Sequence, residues 1–363
     1  MRYLHQRREW PKVTWDSASL ALPLSRLRLR QGRLLGRMES LGFPERAEAE
    51  LQALTEDVVK SSEIEGETLK PDQVRSSIAR RLGMDAGAVH PTDRRVDGVV
   101  RMTLEATRNF RAPLSKARLC GWHRSLFPGA TPRMTVGEWR EGPLQIVSGA
   151  VGRQRVHYEA PPADRMEAEM AAFFEGVNRT GDTEPILASA LAHLWFVTIH
   201  PFDDGNGRIG RAIADWALAR SENSARRYYS LSAQIRRERD DYYEILERTQ
   251  KGGLDITGWL GWFLGCLDRA IAGTEASLSV VLKKDAFWKR HAQEVTNDRQ
   301  RSILNRLLDG GFVGKLTSSK WATLTKCSQD SATRDIQDLI EKGSLVKDAA
   351  GGRSTSYSLS PAP

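Results

Sequence analysis

His200-Pro201-Phe202-Asp203-Asp204-Gly205-Asn206-Gly207-Arg208-Ile209-Gly210-Arg211 is the stretch whose placement decides the fold. The run before it, with Ala188, Ala190, Leu191, Ala192 and Leu194, is long and rich in helix formers. After it, Ile209, Ala212, Ile213, Trp216 and Ala217 recur at helical spacing on one apolar face. The pattern predicts a loop between two helices, opening onto the N-terminus of the second.

That placement removes three look-alikes. Gly205 to Gly210 formally matches GxGxxG, but a dinucleotide fold needs a strand before the glycines, and a helical run stands there instead. Asp204, Asn206 and Arg208 begin like a calcium loop, yet Ile209 holds the position that requires glycine. Gly311-Phe312-Val313-Gly314-Lys315-Leu316 hints at a phosphate loop, but its first glycine is misplaced and no Ser or Thr follows Lys315.

What the loop can do follows from its residue types. Glycines on both sides of Asn206 let backbone N–H groups converge without a Cβ clash. Those groups meet the unpaired donors and positive dipole end of the next helix, which makes an anion site. Arg208 and Arg211 are three apart, so both project from one side and can clamp phosphates. Asp204 is a hard oxygen ligand suited to Mg2+. His200 is a base with an ordinary pKa of roughly 6.5. Together they predict a phosphoryl- or nucleotidyl-transfer site.

At these residues the sequence resembles the Fic family, whose signature is HxFx(D/E)GNGRxxR. His200, Phe202, Asp204, Gly205, Asn206, Gly207, Arg208 and Arg211 match every specified position. The resemblance implies protein AMPylation: AMP passes from MgATP to a Ser, Thr or Tyr hydroxyl of a protein, the chain itself included, and pyrophosphate leaves. It implies that His200 deprotonates the target hydroxyl and that Asp204 holds Mg2+. Asn206 and the Gly205 and Gly207 backbones would receive the α-phosphate charge. Arg208 and Arg211 would take the β- and γ-phosphates, and Phe202 would anchor the loop. Gly207 keeps the AMP-transferring arrangement, because the family's kinase-like members carry a bulkier residue there. Transfer of another phosphate-containing group, or removal of AMP, is the alternative within the family.

Three segments outside the motif gain meaning from that resemblance. Leu144 to Gly149 and Arg153 to Tyr158 are short β-prone runs around a glycine-containing turn, which predicts a hairpin. It fits the family's flap, where Ile146, Val147, Ser148 and Gly149 would dock an extended target segment through the main chain. Ser61-Ser62-Glu63-Ile64-Glu65-Gly66 fits the family's inhibitory pattern (S/T)xxxE(G/N), with Ser61, Glu65 and Gly66 at the fixed positions. A Glu65–Arg211 pair would withhold that arginine from the γ-phosphate. Tyr242 and Tyr243 lie in the region after the motif that resembles the family's adenine pocket.

Elsewhere helical periodicity prevails. Ala47, Leu51, Leu54 and Val58 share one face, and Val74, Ile78 and Leu82 share another ahead of Gly83. The last ~65 residues read as helix, helix, helix and hairpin, the order of a winged helix-turn-helix. Ser331, Thr333, Arg334 and Gln337 on its third helix, and Arg353 in its wing, are candidate DNA contacts, so a DNA-binding regulator is the competing function class. The expected fold is mainly α: a Fic-type helical bundle with a β-hairpin flap and a C-terminal winged helix. The expected divisions are 1–95 for the inhibitory helical region, 96–295 for the catalytic core and 296–363 for the last domain. The family architecture also implies a homodimer.

The 363 residues carry 54 Lys+Arg against 46 Asp+Glu, a net charge of +8 that permits phosphate or nucleic-acid partners without requiring them. Cys120, Cys266 and Cys327 are odd in number and far apart, which argues against a disulfide framework or zinc site and for a cytoplasmic protein. The longest apolar run, Ile186 to Ile199, is interrupted by His193 and falls short of the roughly 20 residues of a bilayer span, so no membrane partner is expected.

Overall fold

Helices dominate the structure, a computed structural model that describes residues 3–84, 91–129, 134–149, 154–179, 181, 183–291, 297–308, 314–348 and 355–360. The chain divides into two compact units, residues 1–272 and 273–363, and the division falls inside one helix, Thr257–His291. The wing residue Arg353 and the turn residues 150–152 lie outside the described residues.

The first unit begins with a short turn at Leu4–Gln6, followed by α1 (Ser17–Ser40), α2 (Phe43–Ile64) and α3 (Pro71–Leu82). Asp16 starts α1 by accepting from the Ala18 and Ser19 N–H groups, and Leu20, Leu27, Leu34 and Met38 form its buried stripe. Pro44 lies in the first turn of α2, where its missing N–H costs nothing. Leu51, Leu54 and Val58 are buried on that helix, as their spacing predicts. The helix reaches Ile64, so Ser61 to Ile64 make its last turn. Gly66 follows at φ +82°, a left-handed conformation that ends helices at little cost in glycine.

Then come α4 (Arg94–Arg108), α5 (Lys116–Leu126), the hairpin strands β1 (Gln145–Ser148) and β2 (Arg155–Glu159), and α6 (Met166–Asn178). At the centre of the unit are α7 (Pro185–Ile199) and α8 (Asn206–Glu222). Nearly every α7 side chain is buried, which explains why its sequence lacks a polar face. The two helices pack closely enough for Ser189 Oγ to donate to the Ala214 carbonyl at 3.0 Å. The unit continues with α9 (Leu231–Arg237) and α10 (Arg239–Gln250) and enters α11 (Thr257–His291). Trp259, fully buried on α11, donates its indole N–H to the Ala190 carbonyl at 2.9 Å.

The second unit contains α12 (Asp298–Leu308), α13 (Ser318–Thr325), α14 (Gln329–Glu341) and the antiparallel strands β3 (Leu345–Lys347) and β4 (Tyr357–Leu359). Ile303, Leu304, Leu316, Trp321, Ala332, Ile336, Leu339 and Leu345 form its core. Thr317 and Ser328 cap α13 and α14. Thr333, Arg334 and Gln337 lie on the exposed side of α14, while Ser331 is half-buried beside the Ser328 cap.

Among the described residues, no helix is long and apolar enough to cross a membrane.

Candidate active site

The loop between α7 and α8 is built to hold one histidine. Residue His200 ends α7 in the left-handed region, at φ 53° and ψ 61°, a conformation that costs a non-glycine residue roughly 1 kcal/mol or more. Arg140 supports it. This buried guanidinium donates through Nε to the His200 carbonyl at 2.9 Å and through Nη1 to the Gly142 carbonyl at 2.6 Å. Its Nη2 bonds the Pro161 carbonyl, and its own N–H donates to the Pro201 carbonyl at 2.9 Å. One side chain thus ties the αL cap to both ends of the β1–β2 hairpin.

The imidazole tautomer of His200 follows from its contacts. Nδ1 lies 3.0 Å from the Val197 carbonyl, which can only accept, so Nδ1 carries the proton. Nε2 then presents a lone pair, and it has no hydrogen-bond partner among the described residues. Burial disfavours the imidazolium and holds the pKa below the ordinary histidine value. The ring is therefore neutral near pH 7, as a general base must be.

The loop beneath is fixed from inside. Phe202 is fully buried and stacks on His123 with ring centroids 4.1 Å apart. Burying a Phe is worth roughly 1.5–3 kcal/mol, so the ring anchors the loop. His123 accepts the Gly137 N–H at Nδ1 (2.9 Å), so its Nε2 donates to the Asp204 carbonyl at 3.1 Å. Burial holds its pKa down at about 4, which keeps it neutral in this role. Asn206 is buried and spends its amide on Phe202, accepting from its N–H at 3.0 Å and donating to its carbonyl at 2.7 Å. The side chain of Asn206 therefore fixes loop shape, and only its second amide hydrogen remains for a ligand. Gly205 adopts φ +78°, and a Cβ there would press on Phe127 and Leu126.

Arg208 and Arg211 at the start of α8 are both buried, and both are held by the end of α2 and the residues just after it. Arg211 donates through Nε to Ser61 Oγ at 2.9 Å and through Nη2 to the Ser61 carbonyl at 2.8 Å and Glu65 Oε1 at 2.9 Å. Burial alone would lower the Arg211 pKa, but the adjacent Glu65 carboxylate outweighs it and holds the pKa above its ordinary value. Arg208 donates through Nη1 to Glu67 Oε2 at 2.7 Å, with its guanidinium 5.1 Å from the Phe127 ring centroid. Arg208 Nε and Arg211 Nη1 are buried donors without a hydrogen-bond partner among the described residues. Donors left over at a helix N-terminus suit an anionic ligand. Gly207 lies against this pairing, and a Cβ on it would run into Glu65 Oε1.

Asp204 is exposed, with Oδ1 accepting the Gly205 N–H at 2.5 Å. Among the described residues no group of three or more His, Cys, Asp or Glu side chains could hold a metal. Mg2+ that arrives with a triphosphate needs only one or two carboxylates, and Asp204 is the motif residue that could supply one.

The two tyrosines part company. Tyr242 is buried, and its hydroxyl lies 2.9 Å from His193 Nε2, while His193 Nδ1 donates to the Gly210 carbonyl at 2.9 Å. It therefore braces α7 and α8 from behind. Tyr243 is 37% exposed, with Arg239 over its ring at 4.9 Å, so only Tyr243 offers surface to a ligand. In the hairpin, Val147, Ser148 and Gly149 are exposed and Ile146 is half-buried.

Two participants escaped sequence reading. Glu67 lies just beyond the inhibitory pattern, and its partner Arg208 is distant in sequence. Among the described residues the side-chain partners of Arg140 are backbone carbonyls, which leave no trace in side-chain types.

The Fic/DOC family model matches residues 113–218, and a model for a domain of unknown function (DUF4172) matches residues 3–84. The Protein adenylyltransferase Fic of Culex quinquefasciatus is 25% identical over 228 residues, 61% of this chain and 42% of that protein. Its counterpart in Aedes aegypti is 26% identical over 227 residues, 61% of this chain and 42% of that protein. The chain thus spans about two fifths of the length of the curated relatives it matches. A Fic family protein from Desulfovibrio desulfuricans G20 shares the fold, with TM-score 0.51 and 24% identity, covering 94% of this chain and 97% of that one. Fic-1 (aa134–508) from C. elegans has TM-score 0.50 and 21% identity, covering 73% of this chain and 75% of that one. The match to the Fic/DOC family model coincides with the motif loop and its helical setting, and residues 113–218 form a Fic/DOC domain.

Proposed function

We propose that this chain is a protein adenylyltransferase, moving AMP from MgATP to a Ser, Thr or Tyr hydroxyl of a protein, with its own α2 as the inhibitor. The observation that carries the reading is the His200 tautomer: a neutral imidazole with a free Nε2 beside an anion-binding helix start and two buried arginines. His200 Nε2 takes the proton of the target hydroxyl. That oxygen bonds the α-phosphorus as the α–β bridging bond breaks, and pyrophosphate departs. The first N–H groups of α8 receive α-phosphate charge, and Arg208 and Arg211 meet the β- and γ-phosphates once freed. Asp204 would hold Mg2+, which neutralises phosphate charge. Tyr243 offers its ring to the nucleoside, and the exposed edge of β1 docks an extended target segment.

In the present arrangement both arginines are paired with carboxylates. Ser61, Glu65 and Gly66 thus act as one device, in which Gly66 turns the chain and Ser61 holds the guanidinium that Glu65 neutralises. The test is Glu65→Gly protein with α-labelled ATP and cell lysate, read by mass spectrometry. Protein-bound AMP that disappears in Glu65→Gly/His200→Ala establishes the reaction. An adduct of UMP or phosphate mass would assign another group, and no adduct at all would refute transfer.

A second reading concerns the C-terminal unit alone. The exposed Thr333, Arg334 and Gln337 of α14 suit phosphate or base contacts, and we read this unit as a candidate DNA-contacting module. A gel shift at low salt tests it, and no retardation of any duplex would remove it.

A further inference from the structure

The hairpin holds a second constellation, whose side chains take no part in the transfer chemistry even though the main chain of β1 is proposed to dock the target. Ser148 Oγ on β1 lies 2.5 Å from His157 Nε2 on β2. His157 Nδ1 lies 2.6 Å from Glu247 Oε2 on α10. The other carboxylate oxygen, Glu247 Oε1, accepts from Arg155 at 2.9 Å and from Lys251 at 2.6 Å.

The roles sort themselves. A carboxylate oxygen accepts, so His157 Nδ1 carries the proton and Nε2 is the acceptor for the Ser148 hydroxyl. The strand pairing explains how His157 reaches both partners. Val147 pairs with Val156 and Ile146 with Tyr158, so His157 is the extra residue of a β-bulge and has no partner in the register. Bulges re-aim side chains in this way. Some burial favours the neutral form of Glu247, but hydrogen bonds from Lys251, His157 and Arg155 prevail and hold its pKa at about 2. The group that orients the imidazole is therefore ionised near neutral pH. Ser148 itself is exposed and open to a reagent.

Nucleophile, base and orienting carboxylate in sequence are the arrangement that activates a serine hydroxyl. We propose that Ser148, His157 and Glu247 form a second nucleophilic centre, in which Ser148 is acylated by activated esters. The Ser148 proton passes to His157 Nε2 as Oγ bonds the acyl carbon. The ester C–O bond then breaks, and the alcohol leaves with the proton from His157. This centre stands apart from the transferase reading, since neither His200 nor a nucleotide takes part.

The experiment treats the full chain with a fluorophosphonate probe, where Oγ–P forms, P–F breaks and fluoride leaves. Tryptic mass spectrometry should place the adduct on Ser148. His157→Gln should slow labelling by on the order of 100-fold, the usual share of a general base. Glu247→Gln should slow it as well, and Glu247→Asp should recover part of the rate. p-Nitrophenyl acetate should release a burst and leave acetyl-Ser148. Rates are compared among variants whose melting midpoints match the parent, and Ser148→Ala serves as the least disruptive control. An adduct absent from Ser148, or a rate unchanged in His157→Gln, would overturn the proposal.

Discussion

Arg211 Nη2 and Glu65 Oε1 are 2.9 Å apart, and the guanidinium so engaged is only 2% exposed. Ser61 fixes two further N–H groups of the same arginine. The end of α2 therefore occupies the cation that the motif places for a nucleotide. A hydrogen bond to a charged group is worth about 1.5–3 kcal/mol, or roughly 10- to 100-fold in occupancy. Glu65→Gly should raise AMP transfer by about that factor. The same change leaves a buried charge less well compensated, so the melting temperature without nucleotide should fall. Activity and stability moving in opposite directions is the signature; transfer that stays at the parental rate would dismiss Glu65 as the brake.

Glu67 makes a second contact of the same kind, but a weaker one. Its carboxylate is 44% exposed where it meets Arg208 at 2.7 Å, and exposed partners are screened by solvent. Glu67→Gln should raise transfer only a few-fold, on the scale of roughly 1 kcal/mol or less. The two arginines bind one triphosphate in the proposed mechanism, so the double variant should exceed either single one. Equal rates in Glu65→Gly and Glu65→Gly/Glu67→Gln, measured with labelled ATP, would show that Arg208 is not restrained by Glu67.

Gly207 couples the motif to the inhibitory helix through shape. A Cβ there would displace the Glu65 carboxylate, the far end of a flexible side chain, and so loosen its hold on Arg211. Gly207→Ala should destabilise the nucleotide-free protein, and the penalty should shrink in a Glu65→Gly background. A double-mutant cycle by chemical denaturation reads this directly, with a coupling of roughly 0.5–3 kcal/mol expected for groups in contact. Additive effects would place the two residues out of contact.

Particular residues show what sequence could and could not reveal. The motif loop was legible because its residue types and spacing are local, with a run of helix formers before it and apolar periodicity after it. The inhibitory segment was legible as a pattern, although its last turn belongs to α2. Glu67, Arg140 and the division of labour between Tyr242 and Tyr243 were not legible. Each depends on which distant group a side chain meets: Arg208, the backbone carbonyls around His200, and His193. The bulge at His157 is equally silent, since register is set by pairing and not by composition.

Arg140 should act on rate through His200. It touches the His200 carbonyl and both ends of the hairpin, but it does not reach the imidazole nitrogens. In a Glu65→Gly background, Arg140→Lys should lower kcat more than it raises KM for ATP, because the geometry of the base is disturbed while the phosphate donors remain. Loss confined to KM would indicate a role in binding instead.

The pH dependence separates catalysis from stability. Burial lowers the His200 pKa, so the acid limb of kcat/KM for Glu65→Gly should fall below the ordinary histidine value of roughly 6.5. A limb at or above that value would contradict the buried neutral base. Stability should respond over a neighbouring window for a related reason. His5, His123 and His193 are buried, and desolvation holds each pKa down at about 4. Between that value and about 6.5 the unfolded chain binds protons that the folded chain refuses, so stability falls as pH falls. Each group contributes up to about 1.4 kcal/mol per pH unit there. His123 can be tested singly, because His123→Gln keeps hydrogen-bonding atoms near Asp204 and Gly137 while removing the titration. Denaturant melts from pH 7 to 4.5 should show a shallower loss of stability in that variant. A slope identical to the parent's would mean that His123 is protonated in the folded chain and that desolvation does not govern it.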